Sequence, residues 1–368
     1  MRMLIRSSMF MLLGVFAADP ACALPRFASR TDAKCQSCHI NPSGGGMRQP
    51  HGVQYGRDDL PVPTWSEGFS LDELSGKLSD FVSIGADFRT LYYYREHPGS
   101  SENAFFQMQG DVYMNFRVAK KVSMYLDKGL YNGLEIFGLL NILPANGYIK
   151  AGKFLPNYGW KLDDHTTYIR QETGFSAEIA RGSEKLTGAE VAVSPGRFTI
   201  TGGLYNANES FPSSSSSKAV LGRVEGAFKL AEGVGLTLGG NVFTRKDPQG
   251  FATTLFGGFG AFSYEDLTVM GEIDMKRNGN PAGATDSTGV ILYAEADYVL
   301  TPGLDLKFIY DFFDPNKDLK TGSRSRYSFG FEFFPISGVE VRPLYRIVKE
   351  TPTDVRDNEF HVLVHFYF

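Results

Sequence analysis

Residues 35 to 52, CQSCHINPSGGGMRQPHG, gather two thiols, two imidazoles and a thioether into one short stretch. Cys35 and Cys38 are two residues apart and His39 follows at once. That spacing lets both sulfurs reach the vinyl groups of one haem from a single turn. The next imidazole then falls on the iron as proximal ligand. Paired cysteines also serve as a disulfide, a redox dithiol or half of a zinc site. A zinc site needs further ligands at matched spacing, and the chain has no second cysteine pair. A structural disulfide is the competing reading, and the adjacent histidine decides against it. The expected cofactor is one covalent haem c on Cys35, Cys38 and His39.

The opposite axial position has two candidates in the same stretch. Met47 lies eight residues and His51 twelve residues beyond His39. At roughly 3.3 Å per residue these spans reach about 26 Å and about 40 Å. His51 can pass around the macrocycle without full extension, helped by Gly44–Gly46. It is therefore the leading partner of His39 as iron ligand, with Met47 second. A ligand from elsewhere in the chain, or an open position, completes the alternatives. An ordinary flexible loop explains the three glycines equally well.

What positions such a motif must come from the rest of the 368 residues. The N-terminus has a positive region (Arg2, Arg6), a short apolar core (MFMLLGVFAA) and a small-x-small pattern at residues 21–23. It reads as a signal peptide over 1–23, with Leu24 first in the mature chain. A lipoprotein signal at Cys22 is disfavoured by Asp19 and Pro20. Haem c is attached outside the cytoplasm, so export and motif agree. The net charge of −4 comes from interspersed acids and bases, which argues against nucleic acid as a partner. No catalytic triad, phosphate loop or hydrolytic carboxylate pair stands out, so any enzymatic role is at most that of a redox carrier.

From about residue 79 the pattern has period two. In FQMQGDVYMNFRV (106–118), Phe106, Met108, Gly110, Val112, Met114, Phe116 and Val118 share one face. Gln107, Gln109, Asp111, Tyr113, Asn115 and Arg117 share the other. Residues 267–276 set Glu272 and Asp274 against Val269, Ile273 and Met275. Residues 304–312 set Asp305, Lys307 and Asp311 against an apolar row. Such long alternating strands suit a transmembrane antiparallel β-barrel, apolar face to lipid and polar face to lumen. Connections alternate in length: short turns at 194–196, 231–233, 264–266, 301–303 and 335–338, and longer polar loops between. The chain closes on EFHVLVHFYF, with Phe360, Val362, Val364, Phe366 and Phe368 on one face and His361 and His365 on the lumen side, within reach of the haem or, more plainly, lining the wall. Barrel closure removes the aggregation-prone edge that this strand would present.

Counting back from Phe368 gives an all-β fold of about sixteen strands. The first five fall within 79–155 and the last eleven within 185–368, with both termini on the short-turn, periplasmic side. The longest connection, 154–185, is placed to fold inward and narrow the pore. It carries Lys161, Asp163, Asp164, His165, Tyr168 and Arg170, a set that offers cation ligands or, more plainly, a loop of paired charges. Lumen acids Asp111, Glu272, Asp274, Glu295 and Asp297 offer attraction for cations or, more plainly, solvation of a pore wall. Residues 24–78 are too few for an independent core. They are expected to form a small haem-binding plug inside, or at the mouth of, the barrel of residues 79–368.

The chain resembles the fused cytochrome–porins of outer membranes, best known from iron-oxidising bacteria. The resemblance rests on LPRFASRT…CQSCH, the single C-x-x-C-H, the Gly/Pro-rich stretch ending in YGR (55–57) and the Phe-terminated barrel. It departs in the SGGGMRQPHG insert and a rather short barrel. It implies an outer-membrane location in a Gram-negative bacterium, with lipid around the barrel. It further implies electron transfer across that membrane, from extracellular iron or another redox partner to a periplasmic cytochrome or other carrier. Outward electron export and a diffusion porin with a haem-bearing gate are the alternatives.

Overall fold

The computed structural model describes residues 25–31, 34–66, 76–130, 133–175, 185–207, 217–246, 250–280 and 285–368. The expected signal segment and Leu24 lie outside the described residues. Four short helices come first: α1 (Pro25–Thr31), α2 (Cys35–Cys38), α3 (Pro50–Asp58) and α4 (Pro63–Ser66). Five strands follow: β1 (Val82–His97), β2 (Ser100–Ala119), β3 (Val122–Gly129), β4 (Leu134–Leu143) and β5 (Gly147–Phe154). Helix α5 (Tyr168–Thr173) lies in the long connection. Then come β6 (Leu186–Val193), β7 (Phe198–Asn206), β8 (Lys218–Ala231), β9 (Val234–Lys246), β10 (Ala252–Tyr264) and β11 (Leu267–Gly279). The last are β12 (Ser287–Thr301), β13 (Leu304–Asp314), β14 (Arg324–Phe333), β15 (Val339–Glu350) and β16 (Glu359–Tyr367).

Every strand pairs antiparallel with its sequence neighbours, and β1 closes on β16 from Asp87↔Tyr367 to Arg95↔Glu359. The sheet is a closed sixteen-stranded barrel. The five-plus-eleven division around the long connection and all five short turns fall where the sequence places them. An even strand number puts both ends of the barrel on one rim, the rim of the short turns. Among the described residues no helix is long and apolar enough to cross a membrane; the strands are the spanning elements.

Period two dictates which side chain faces which medium. Val112, Val269, Ile273, Leu306, Phe308, Phe360 and Phe366 are exposed on the outside, while Asp111, Glu272, Asp274, Lys307, Asp311, His361 and His365 are buried on the inside. One assignment differs from the sequence pattern. Phe106 and Met108 do not join Val112 on the lipid face; they pack with Leu91 and Leu363 in an internal apolar cluster. The cause is a register shift between Arg89 and Thr90, where Gln109 and Gln107 pair with consecutive β1 residues and Met108 is left over. A bulge of one residue inverts the faces beyond it.

The interior is packed. Lys150, Glu190, Asp274, Asp297, Glu332 and Ser328 on the inner wall have 0% exposure. A wall lining an open aqueous pore would leave such groups wet. The material covering them is the N-terminal segment and the 155–175 loop.

Candidate functional site

Helix α1 lies across β9, β10 and β11. Arg26 and Arg30, one helical turn apart, fasten it to the wall. Arg26 Nη2 donates to both carboxylate oxygens of Glu332 at 2.6 Å, and both residues are buried. Arg30 donates to Thr268 Oγ1 at 2.8 Å and to Asp305 Oδ2 at 2.9 Å. Further along, Lys34 Nζ donates to Gly196 O at 2.8 Å, Val62 N to Phe334 O at 2.9 Å, and Ser337 Oγ to Arg57 O at 2.9 Å. Gly196, Phe334 and Ser337 belong to short turns, so the segment is seated in the short-turn mouth.

The C-x-x-C-H residues form one tight turn. His39 N donates to Cys35 O at 3.0 Å, closing the single turn of α2. His39 then pairs with Arg48 as an antiparallel bridge, with Ile40 N donating to Met47 O at 3.0 Å. The hairpin reverses through Gly44, Gly45 and Gly46, all with φ between +65° and +86°. These are left-handed conformations that side chains rarely adopt. At Gly46 a Cβ would also lie 2.1 Å from Tyr125 Oη. The glycines are therefore required by the turn rather than by pliancy. Behind them α3 lies so close that a Cβ on Gly52 would fall 2.4 Å from Cys38 O.

His39 Nδ1 donates to Gly46 O at 3.2 Å. A carbonyl only accepts, so this contact fixes the tautomer and leaves Nε2 as the basic nitrogen. That is the arrangement metal-binding histidines use. Cys35 and His39 line a cavity inside the barrel, shared with Phe27, Tyr55, Leu60, Trp160 and Phe334. Cys38 packs with Phe27 and Phe334, behind that lining. The walls carry Arg48, Lys161, Arg170, Lys185 and Arg223, groups that can pair with haem propionates, alongside the carboxylates of Asp87, Asp111, Asp127, Glu135, Asp163 and Glu340. Burial pushes the Cys35 thiol up to about 11. Redox dithiols have lowered thiol pKa values, so the dithiol alternative finds no support here. Donor set and tautomer suit a haem.

The two distal candidates are placed elsewhere. Met47 is buried among Tyr113, Tyr125, Phe137 and their neighbours, and its N–H donates to Tyr125 Oη at 3.0 Å. His51 sits on α3, whose Gly52, Tyr55 and Gly56 line the cavity while His51 does not. The structure thus brings Cys35 and His39 to the cavity, Cys38 to its apolar backing, and neither Met47 nor His51 to its lining.

The long connection enters the lumen as the sequence suggests. Asp163 meets Arg342 at 2.5 Å and Asp164 meets Arg346 at 2.5 Å. Tyr158 Oη donates to Asp274 at 2.6 Å, and Trp160 N to Glu272 at 2.6 Å. Asp163, Glu332 and Glu340 converge within 4.8 Å, but Arg26 and Arg342 lie among them. The loop carries paired charges. The lumen acids are likewise buried and bonded rather than solvating a wall; Lys307, for instance, bridges Glu295 at 2.7 Å and Asp297 at 2.6 Å. His165 on this loop lines the same cavity as His39. Burial, and the nearby Arg170 and Arg89, hold its pKa well below the usual histidine value, so the ring is neutral.

Sequence reasoning passed over Arg26 and Arg30, whose i, i+4 spacing on LPRFASRT was the available signal. It also passed over Arg89, whose role depends on where the loop docks.

No model of a known protein family matches the chain, and no curated protein does. Solved structures do match. Pseudomonas putida OprB in its high-pH structure aligns at TM-score 0.63 and 10% identity over 85% of this chain and 99% of its own. The anion-selective porin of Comamonas acidovorans aligns at TM-score 0.57 and 10% identity over 78% and 99%. The outer membrane channel DcaP of Acinetobacter baumannii aligns at TM-score 0.56 and 13% identity over 78% and 97%. At these identities the likeness is one of fold. The chain is a closed sixteen-stranded antiparallel barrel of the outer-membrane porin kind.

Proposed function

We propose that this chain resides in the outer membrane, holds one covalent haem c on Cys35, Cys38 and His39, and passes electrons across that membrane. The single observation that supports this best is the C-x-x-C-H turn seated at a walled cavity within a porin-like barrel whose lumen is otherwise filled. Bound there, the haem would supply one-electron cycling of iron between its ferrous and ferric states. The chain's own residues do the rest. His39 Nδ1–H, held on Gly46 O, aims the opposite nitrogen. Phe27, Tyr55, Leu60 and Phe334 exclude water on the plug side. The 155–175 loop closes the other side through its arginine pairs. Burial and axial ligation together tune the potential. Extracellular ferrous iron is the proposed donor and a periplasmic cytochrome the acceptor.

A second reading, a diffusion porin with a haem-bearing gate, draws on the likeness to porins. One experiment separates the two. Full-length matured protein is reconstituted into liposomes enclosing a redox dye, with ferrous iron outside. Dye reduction with low ion conductance supports electron transfer; high conductance with the dye left oxidised supports the porin. Protein without any covalent tetrapyrrole sinks the haem assignment.

A further inference from the structure

We propose that His165 is the second axial ligand of the iron, an inference that rests on the haem reading of Cys35, Cys38 and His39. Of the six histidines in the chain, three line the cavity: His39, His165 and His365. His365 is held between two carboxylates, its Nδ1 bonded to Glu340 at 2.8 Å and its Nε2 2.9 Å from Asp87 Oδ1 without a hydrogen bond. His165 is not. Its Nδ1 is buried with no hydrogen-bond partner, a state shared by Nε2 of His51, His361 and His365, of which only His365 also lines the cavity. Its Nε2 has only Arg89 Nη1 at 3.4 Å, the long limit of such a bond. A buried ring nitrogen left unpaired costs about 1–3 kcal/mol, and a bond to iron removes that cost. A half-turn of the ring exchanges the two nitrogens, so either can be presented.

The backbone around His165 is fixed as a ligand's must be. Asp163 is tied to Arg342 and Asp164 to Arg346. Arg89 Nη1 donates to Asp163 O at 2.7 Å, and Tyr168 N to Asp311 Oδ1 at 3.1 Å. The loop thereby sets one imidazole into the cavity from the barrel side while α2 sets another from the plug side. A proximal ligand on the plug and a distal ligand on the loop would tie both together through one metal.

The test uses the full matured chain in detergent. A pyridine haemochrome assay first establishes haem content, and electron paramagnetic resonance with near-infrared dichroism then reports the ligands. The wild type is expected to be low-spin with two imidazoles. His165→Ala should lose nearly all the low-spin signal, bind carbon monoxide when ferrous, and regain low-spin character with added imidazole. Met47→Leu and His51→Ala should leave the spectrum unchanged. If His165→Ala does not accumulate, His165→Met decides: a thioether signature supports the proposal and a retained bis-imidazole signature overturns it. An unchanged His165→Ala spectrum, a high-spin wild type, or loss of the low-spin signal in the Met47 or His51 variant also overturns it while the haem reading stands. A wild type with no haemochrome overturns both.

Discussion

Gly46 shows how narrow the tolerance is at single residues around the C-x-x-C-H turn. Its φ is +65°, and a methyl there would overlap Tyr125 Oη. We expect Gly46→Ala to destabilise the plug by about 1–3 kcal/mol, read as a lower midpoint of thermal unfolding and less haem per chain. Adding Tyr125→Phe removes the clashing oxygen and should recover part, but not all, of the loss; no recovery would place the strain elsewhere. Lys161 gives a prediction in pH. Burial and the nearby Lys150 bring its pKa down from 10.5 to about 8. Between those values the unfolded chain holds the proton and the folded one does not, so folding gains stability as pH rises from about 8 to 10.5. In the haem-free chain, replacing Lys161 by Gln should flatten the unfolding midpoint over that window relative to the parent. The C-x-x-C-H turn was legible because its residues are local: thiols and imidazole within five residues. Surroundings are set by tertiary docking, so the chain spacing of Met47 and His51 said nothing of the packing that each meets.

Among elements, α1 is the part whose role was hidden. Its seven residues are too few to be stable alone, and its hold comes from two arginines meeting wall carboxylates. Arg26→Ala would leave Glu332 at 0% exposure without its bidentate partner, and breaking such a buried pair costs about 3–5 kcal/mol. We expect the plug to loosen, seen as faster proteolysis within residues 25–66 and a rise in single-channel conductance. Arg30→Ala, whose side chain is less buried, should give a smaller change of the same sign. If conductance and proteolysis both stay at wild-type levels, α1 is not the latch. The strands themselves were readable from alternation and turn residues. The bulge at Met108 was not, because one extra residue leaves composition and polarity intact while reversing every face beyond it.

For the whole molecule, the decisive contrast is between a greasy outside and a dry, charged inside. Ile273, at the middle of β11, is exposed on the barrel exterior. Ile273→Lys should cost about 2–4 kcal/mol, and should lower the yield of folded barrel in an electrophoretic heat-modifiability assay. Wild-type insertion of that variant would place the strand outside the hydrocarbon. Closure, strand number and the inward loop followed from counting strands and connections, since those depend on pattern alone. A plug segment was expected as well, but the charge pairing that seals plug, loop and wall was not, because it appears only once the three are in place.

The seam between β1 and β16 bears on how the molecule is made. Tyr367 at that seam carries Arg48 of the plug 4.2 Å from its ring centroid and lines the same cavity as His39. Cys38 has no exposed surface once the wall is complete. On the proposed haem reading, an attachment enzyme would have no route to this sulfur through a sealed wall. Thioether formation would then precede the docking of the last strand on the first, and barrels assembled without porphyrin should resist later loading.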